Sequence, residues 1–246
     1  MSRALLWSLP FLLAAVVFLA IGVTRGRTQA AILRADPETI LGNPVLRAMA
    51  VKQGKAVFDG QCASCHGPEG KGDEGLGIPN LTDDDHLYGT GTVAQIEDIA
   101  RYGIRGHNKH GFNLASMPAY ASRNPYSGEK LPPQTPAAIN ELTQYLLTFT
   151  ARQTDAAAAK RGLDDYTKAG CWDCHGRDLG GDPAIGAPNL TDDIWLYGGR
   201  PDDIRRSISR GRAGVSPAFA RVLSAAQMRN VAVYVASLAP SPQDRK

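Results

Sequence analysis

Aromatic residues make up only 7% of this 246-residue chain, and cysteine and methionine occur just four times each. With so few rings, neither half of the chain can build a core mainly from aromatic side chains. Strand-type alternation of polar and apolar residues is nearly absent, which excludes a sheet-based architecture and leaves an all-α reading. Charge of one sign is also lacking: a net charge of +3 with 21% charged residues carries no nucleic-acid signature. The chain does have 26 glycines and 16 prolines against 43% hydrophobic residues, a globular profile with long loops. Residues 49–150 carry a net charge of −3 and residues 160–246 a net charge of +3, an asymmetry able to orient a charged partner.

The one long hydrophobic run is N-terminal. Residues 4–23, ALLWSLPFLLAAVVFLAIGV, contain no charge and are long enough to cross a bilayer as a helix. The run exceeds the core of a cleaved signal peptide and is followed at once by Arg25 and Arg27, so residues 1–24 are expected to be an uncleaved anchor. Residues 25–44 then read as a flexible tether. The arginines after the helix outnumber the single Arg3 before it, which by positive-inside bias would retain the bulk of the protein in the cytoplasm. The cofactor chemistry below points the other way and outweighs that count.

The rest of the chain is one design written twice. PNLTDDDHLYG (79–89) and PNLTDDIWLYG (188–198) share nine of eleven residues at an offset of 109, and CASCHG (62–67) meets CWDCHG (171–176) at the same offset. QIEDIARYGIR (95–105) pairs with DIRRSISRGR (203–212), and AINELTQYLLTF (138–149) with QMRNVAVYVASL (227–238). This is a duplicated domain, not a solenoid of short units. Residues 45–149 form the first copy, 150–159 a polar, Ala-rich linker and 160–246 the second copy. Each copy reads as a helix leading into the cysteine pair, a glycine-rich loop, a short helix and a final amphipathic helix. Leu142, Tyr145, Leu146 and Phe149, and then Val231, Tyr234, Val235 and Leu238, are spaced for one buried face.

Cys62-x-x-Cys65-His66 and Cys171-x-x-Cys174-His175 are the attachment signature of c-type haem. Residues three apart on a helical turn share a face, so both thiols reach one porphyrin while the adjacent histidine projects toward its iron. Zinc-binding cysteine pairs stand much closer together than these two, a thioredoxin-like pair lacks the following histidine, and disulfides would leave both histidines unexplained. Two covalently bound haem c groups are therefore expected. Covalent haem is installed on the outer side of the bacterial inner membrane, which places the chain beyond the anchor in the periplasm. Met117, followed by proline, is the candidate distal ligand of the first iron. The aligned residue in the second copy is Ser216, a hard and weak donor, so the second haem is expected to be five-coordinate or weakly capped by water or Ser216. Met228 aligns with Ile139 and reads as core, with ligation of the second iron as the alternative. His86 reads as a residue at the pocket edge, and His107 and His110 lie in a nine-residue insertion of the first copy.

These motifs, together with PNLTDDIWLYGG (188–199), ISRGRAGVSPAF (208–219) and RYGIRGHNKHGFNLASMPAY (101–120), resemble the di-haem subunit III of cbb3-type cytochrome c oxidases over residues 45–240. The resemblance implies tandem cytochrome c domains with Cys62, Cys65, His66 and Met117 on haem one and Cys171, Cys174 and His175 on haem two. It also implies electron transfer from a soluble cytochrome c or a bc-type complex to the catalytic subunit of a terminal oxidase, with no catalysis of its own. Two features depart from it: Ser216 stands where a second methionine is expected, and residues 24–44 contain nothing like the family's juxtamembrane Asn-Pro-Leu-Pro-x-Trp-Trp segment. An open second iron would alternatively suit a haem enzyme or gas sensor, and a free-standing donor for a dehydrogenase is a third reading. Arg205, Arg206 and Arg210 could meet an acidic partner, and Arg212 a haem propionate.

Overall fold

A computed structural model describes residues 3–106, 108–122, 133–150, 152 and 154–240, the first ten of these as backbone only. His107 and the last six residues of the second copy lie outside the described residues. Nine α-helices are present among them and no strand: α1 (Arg3–Arg34), α2 (Pro44–Gln61), α3 (Ala63–His66), α4 (Val93–Tyr102), α5 (Pro136–Leu147), α6 (Ala156–Lys168), α7 (Trp172–His175), α8 (Pro201–Arg210) and α9 (Ala225–Ala236).

The helix starts follow from local chemistry. Asn43 caps α2 by accepting from the N–H groups of Val45 and Leu46, and Asp155 caps α6 by accepting from Ala157 and Ala158. Capping boxes open α4 at Thr92–Gln95 and α9 at Ser224–Gln227. α8 has no side-chain cap; Pro201 in its first turn needs no N–H partner, and Asp202 and Asp203 place negative charge at its positive end.

Residues Leu13–Arg34 of α1 are long and apolar enough to cross a membrane, and almost none of that stretch is covered by the rest of the chain. Its far end, however, is not followed by a flexible tether. Gln29 accepts from the Asn230 side chain at 3.0 Å, Ile32 and Ile40 are fully buried, and Arg229 donates to the carbonyls of Ile32 and Ala35. Glu38, on the 3-10 turn at Pro37–Thr39, accepts from the N–H groups of Val93 and Ala94 at the start of α4. Apolar burial and capping together make the expected tether part of the folded body.

The second difference is larger. A duplicated domain with one core per copy predicts that each final helix closes its own copy, yet α9 packs across α2 and α4, while α5 packs across α6 and α8. Both crossings use a glycine on the first helix. A Cβ on Gly54 would stand 2.0 Å from the Asn230 carbonyl oxygen, and one on Gly162 would stand 2.1 Å from that of Glu141. An aromatic pair seals each crossing, Phe58 with Tyr234 at 5.3 Å and Tyr145 with Tyr166 at 5.7 Å. Because the two copies are near-identical in pattern, a final helix fits the neighbouring copy as well as its own, and only three-dimensional packing decides between them.

Candidate haem site

The two cysteine motifs fold alike. The last turn of α2 runs into α3, where the N–H groups of Cys65 and His66 both donate to the Cys62 carbonyl; Cys174 and His175 do the same to Cys171. That turn sets each pair of thiols on one face, and all four cysteines are free. The Pro-Asn-Leu-Thr phrase then explains itself. Asn80 accepts from the N–H of Thr82, and Asn189 from that of Thr191, forming matching turns that present the carbonyls of Pro79 and Pro188 to the histidines. Nδ1 of His66 lies 3.3 Å from the Pro79 oxygen and Nδ1 of His175 lies 3.0 Å from the Pro188 oxygen. A carbonyl only accepts, so Nδ1 carries the proton and Nε2 keeps its lone pair. Burial lowers the pKa of both rings, against the weaker opposing pull of those carbonyls, and holds them neutral.

Both motifs line one continuous cavity of about 580 Å³, walled mainly by aliphatic side chains, with Arg105 and Arg212 on its wall. Paired free thiols, a neutral imidazole nitrogen, an apolar slot and guanidinium groups suited to carboxylates are the donor set that a covalently attached haem requires, and the residues fit that group. The two haem loops touch through exchanged tyrosines: Tyr88 packs on Gly186, and Tyr197 packs on Gly77.

The distal loops are exchanged along with the final helices. Met117 and Arg212 exchange backbone hydrogen bonds at 2.9 and 3.0 Å, and the Tyr120 N–H donates to the Ile208 carbonyl at 3.0 Å. Met117 and Tyr120 thereby join the core of Leu142, Leu146, Tyr166, Ile204 and Ile208 that also packs Cys171. Burial pushes the Cys171 thiol up to about 11 and, together with that nearby sulfur, raises the Tyr120 phenol as well. On the other side Ser216 and Ile104 exchange backbone hydrogen bonds at 2.9 and 3.0 Å, and Phe219 N–H donates to Ala100. Met117 thus packs beside Cys171 in the core of α5, α6 and α8, and Ser216 pairs with the loop that follows α4. Met228 is fully buried in α9 and does not line the cavity, in keeping with a core residue. His86 does line it; His110 is exposed and rests against the Tyr102 ring.

Residues 51–150 match the family described as Cytochrome c, and residues 157–235 match the family described as Cytochrome C oxidase, cbb3-type, subunit III. The cbb3-type cytochrome c oxidase subunit FixP of Azorhizobium caulinodans is 37% identical over 215 residues, covering 87% of this chain and 68% of that one. The subunit CcoP of Cereibacter sphaeroides is 33% identical over 207 residues, covering 84% of this chain and 67% of that one. The chain belongs to the cbb3-type oxidase subunit III family. Its cytochrome c domains imply covalently bound haem c at the cysteine motifs.

Within this subunit III, sequence reasoning missed Arg105, Tyr120 and the two exchanged tyrosines. Arg105 adopts a left-handed φ of 50°. Its guanidinium donates to the Gly214 carbonyl, the Ala115 carbonyl and the Tyr88 hydroxyl at 2.7, 2.7 and 2.8 Å, tying both distal loops to one haem loop. No local signal marks it, because its partners come from both copies. Arg212, singled out as a propionate partner, lies 3.9 Å from the Tyr197 ring centroid and donates to Ser207. Arg205 and Arg206 are engaged with Asp202 and Asp203.

Proposed function

We propose that this subunit carries two haem c groups and relays electrons on the periplasmic face of the bacterial inner membrane, without catalysis of its own. Electrons would enter from a cytochrome c or a bc-type complex and leave to the catalytic subunit of a terminal oxidase. Haem c, when bound, supplies one-electron iron redox chemistry. Cys62 and Cys65 would attach one group and Cys171 and Cys174 the other, with His66 and His175 as proximal ligands. Met117 would serve the iron of His175, where a thioether favours the ferrous state. Arg105 and Arg212 would hold acidic substituents and exclude water from the slot.

The observation that carries this reading is the shared cavity. Both cysteine motifs open into it, and the loops around it are exchanged between copies, so a path between the two cofactors is internal and rigid. The docking of α1 against α2 and α9 adds a function for the anchor: it would hold the relay at a set orientation over the membrane, ready for an oxidase beside it. Membranes from a host competent in cytochrome maturation test the reading. The protein should carry the mass of two tetrapyrroles and co-purify with a copper-containing oxidase catalytic subunit. A single tetrapyrrole, or purification free of any oxidase under mild detergent, overturns it.

A further inference from the structure

We propose that the iron of the first pocket, held by His66, is open on its distal side and in the ferrous state binds a small neutral diatomic ligand of the carbon monoxide or nitric oxide class. The inference rests on the two-haem reading above. It places the open site in the opposite pocket from the one that reading the copies in order suggests.

Three observations carry it. Met117 is the only methionine among the described residues that lines the cavity, and its loop is fastened to Arg212 and Ile208 beside Cys171. The loop that faces the first pocket, 211–219, reads GRAGVSPAF; its two backbone hydrogen bonds to Ile104 place Ser216 at the position equivalent to Met117. A hydroxyl is a hard, weak donor that cannot hold ferrous haem iron as a thioether does. The other nitrogen donor on the wall, His86, turns its Nε2 onto Gly91, 2.0 Å from where a Cβ of that residue would stand. Ile99, Phe219, Val231 and Val235 from α4, the loop and α9 add apolar wall beside Ser216, which favours a neutral ligand over a charged one. The Ser216 O–H is then free to donate to the ligand's outer atom.

Reduced-minus-reduced-plus-carbon-monoxide spectra of the full-length, haem-loaded protein in detergent, titrated against tetrapyrrole content, test this. The expected result is one carbon monoxide per two haems. Ser216→Met should abolish the response while keeping both haems. Cys62→Ala with Cys65→Ala should abolish it with loss of one haem, and should keep the methionine–iron charge-transfer band of the oxidised protein. Should that variant not accumulate, Met117→Ala in the otherwise native chain should raise the stoichiometry from one to two. No carbon monoxide bound by protein carrying two tetrapyrroles overturns the inference and leaves the relay reading standing. A response that survives loss of Cys62 and Cys65, or a stoichiometry that does not rise in Met117→Ala, also overturns it. Wild-type protein with fewer than two tetrapyrroles fails the relay reading itself.

Discussion

The pocket around Cys62 and the pocket around Cys171 are assembled by the same operations, and each borrows its closing helix and distal loop from the other half of the chain. Gly54 and Gly162, Phe58 and Tyr166, and Tyr88 and Tyr197 occupy equivalent places. The pockets part opposite the cysteine motifs and where the end of α1 docks. A thioether at Met117 lies in one and a hydroxyl at Ser216 in the other. The first pocket also carries a polar staple that the second lacks. Arg229 of α9 pairs with Glu97 of α4, and both are about nine-tenths buried. At the aligned positions the second pocket has Asn140 and Arg205, 3.5 Å apart and exposed to solvent. The two copies share their scaffold, and they differ opposite the cysteine motifs and against the end of α1.

Forcing the exchanged helices apart should have the largest effect. Gly54→Val and Gly162→Val each put carbon into a carbonyl oxygen at a helix crossing, and each should cost about 3 kcal/mol or more in chemical denaturation. Their spectra should differ: Gly162→Val unseats α5 and with it the methionine–iron band, while Gly54→Val unseats α9 and leaves the band in place. If each variant affects the band in the reverse sense, the exchange is refuted.

Arg229→Met should come next, costing about 3 kcal/mol because Glu97 loses a partner inside the fold. It should also free the end of α1, read as faster amide exchange at 29–35. Asn140→Ala at the matching position should change stability by less than about 0.5 kcal/mol. Equal losses in the two would erase the asymmetry. The smallest effect belongs to Glu38→Ala, which removes two acceptors from the start of α4 and should cost about 1 kcal/mol. α8 has no such external cap, so only the first pocket should loosen, measurable as local amide exchange at 93–97.

Much of the site was legible in the chain. The helices, the two cysteine motifs, their histidines and the special standing of Met117 and Ser216 all follow from spacing and repetition. Histidine orientation was implicit in the Pro-Asn-Leu-Thr phrase, since its asparagine turn aims the proline carbonyl. What could not be read was partnership. Leu142 and Val231 announce a buried face without saying which first helix covers it, because Gly54 and Gly162 offer the same groove. Arg105 was invisible for the same reason: its acceptors at Tyr88, Ala115 and Gly214 are brought together only by the exchange. The stretch 25–44 looked like a tether because Gln29 and Glu38 find their partners at 230 and 93, and Ile40 clusters with Val93 and Val233, far along the chain.

By itself, then, the order of residues determined a helical protein with an apolar N-terminal anchor, two Cys-x-x-Cys-His motifs, and one thioether and one hydroxyl at matching places in the repeat. Tertiary structure alone decided which of those two lies on the side of which motif. The reason is physical: local chemistry is written in spacings of three or four residues, whereas two near-equivalent grooves are told apart only by the free energy of packing the whole chain.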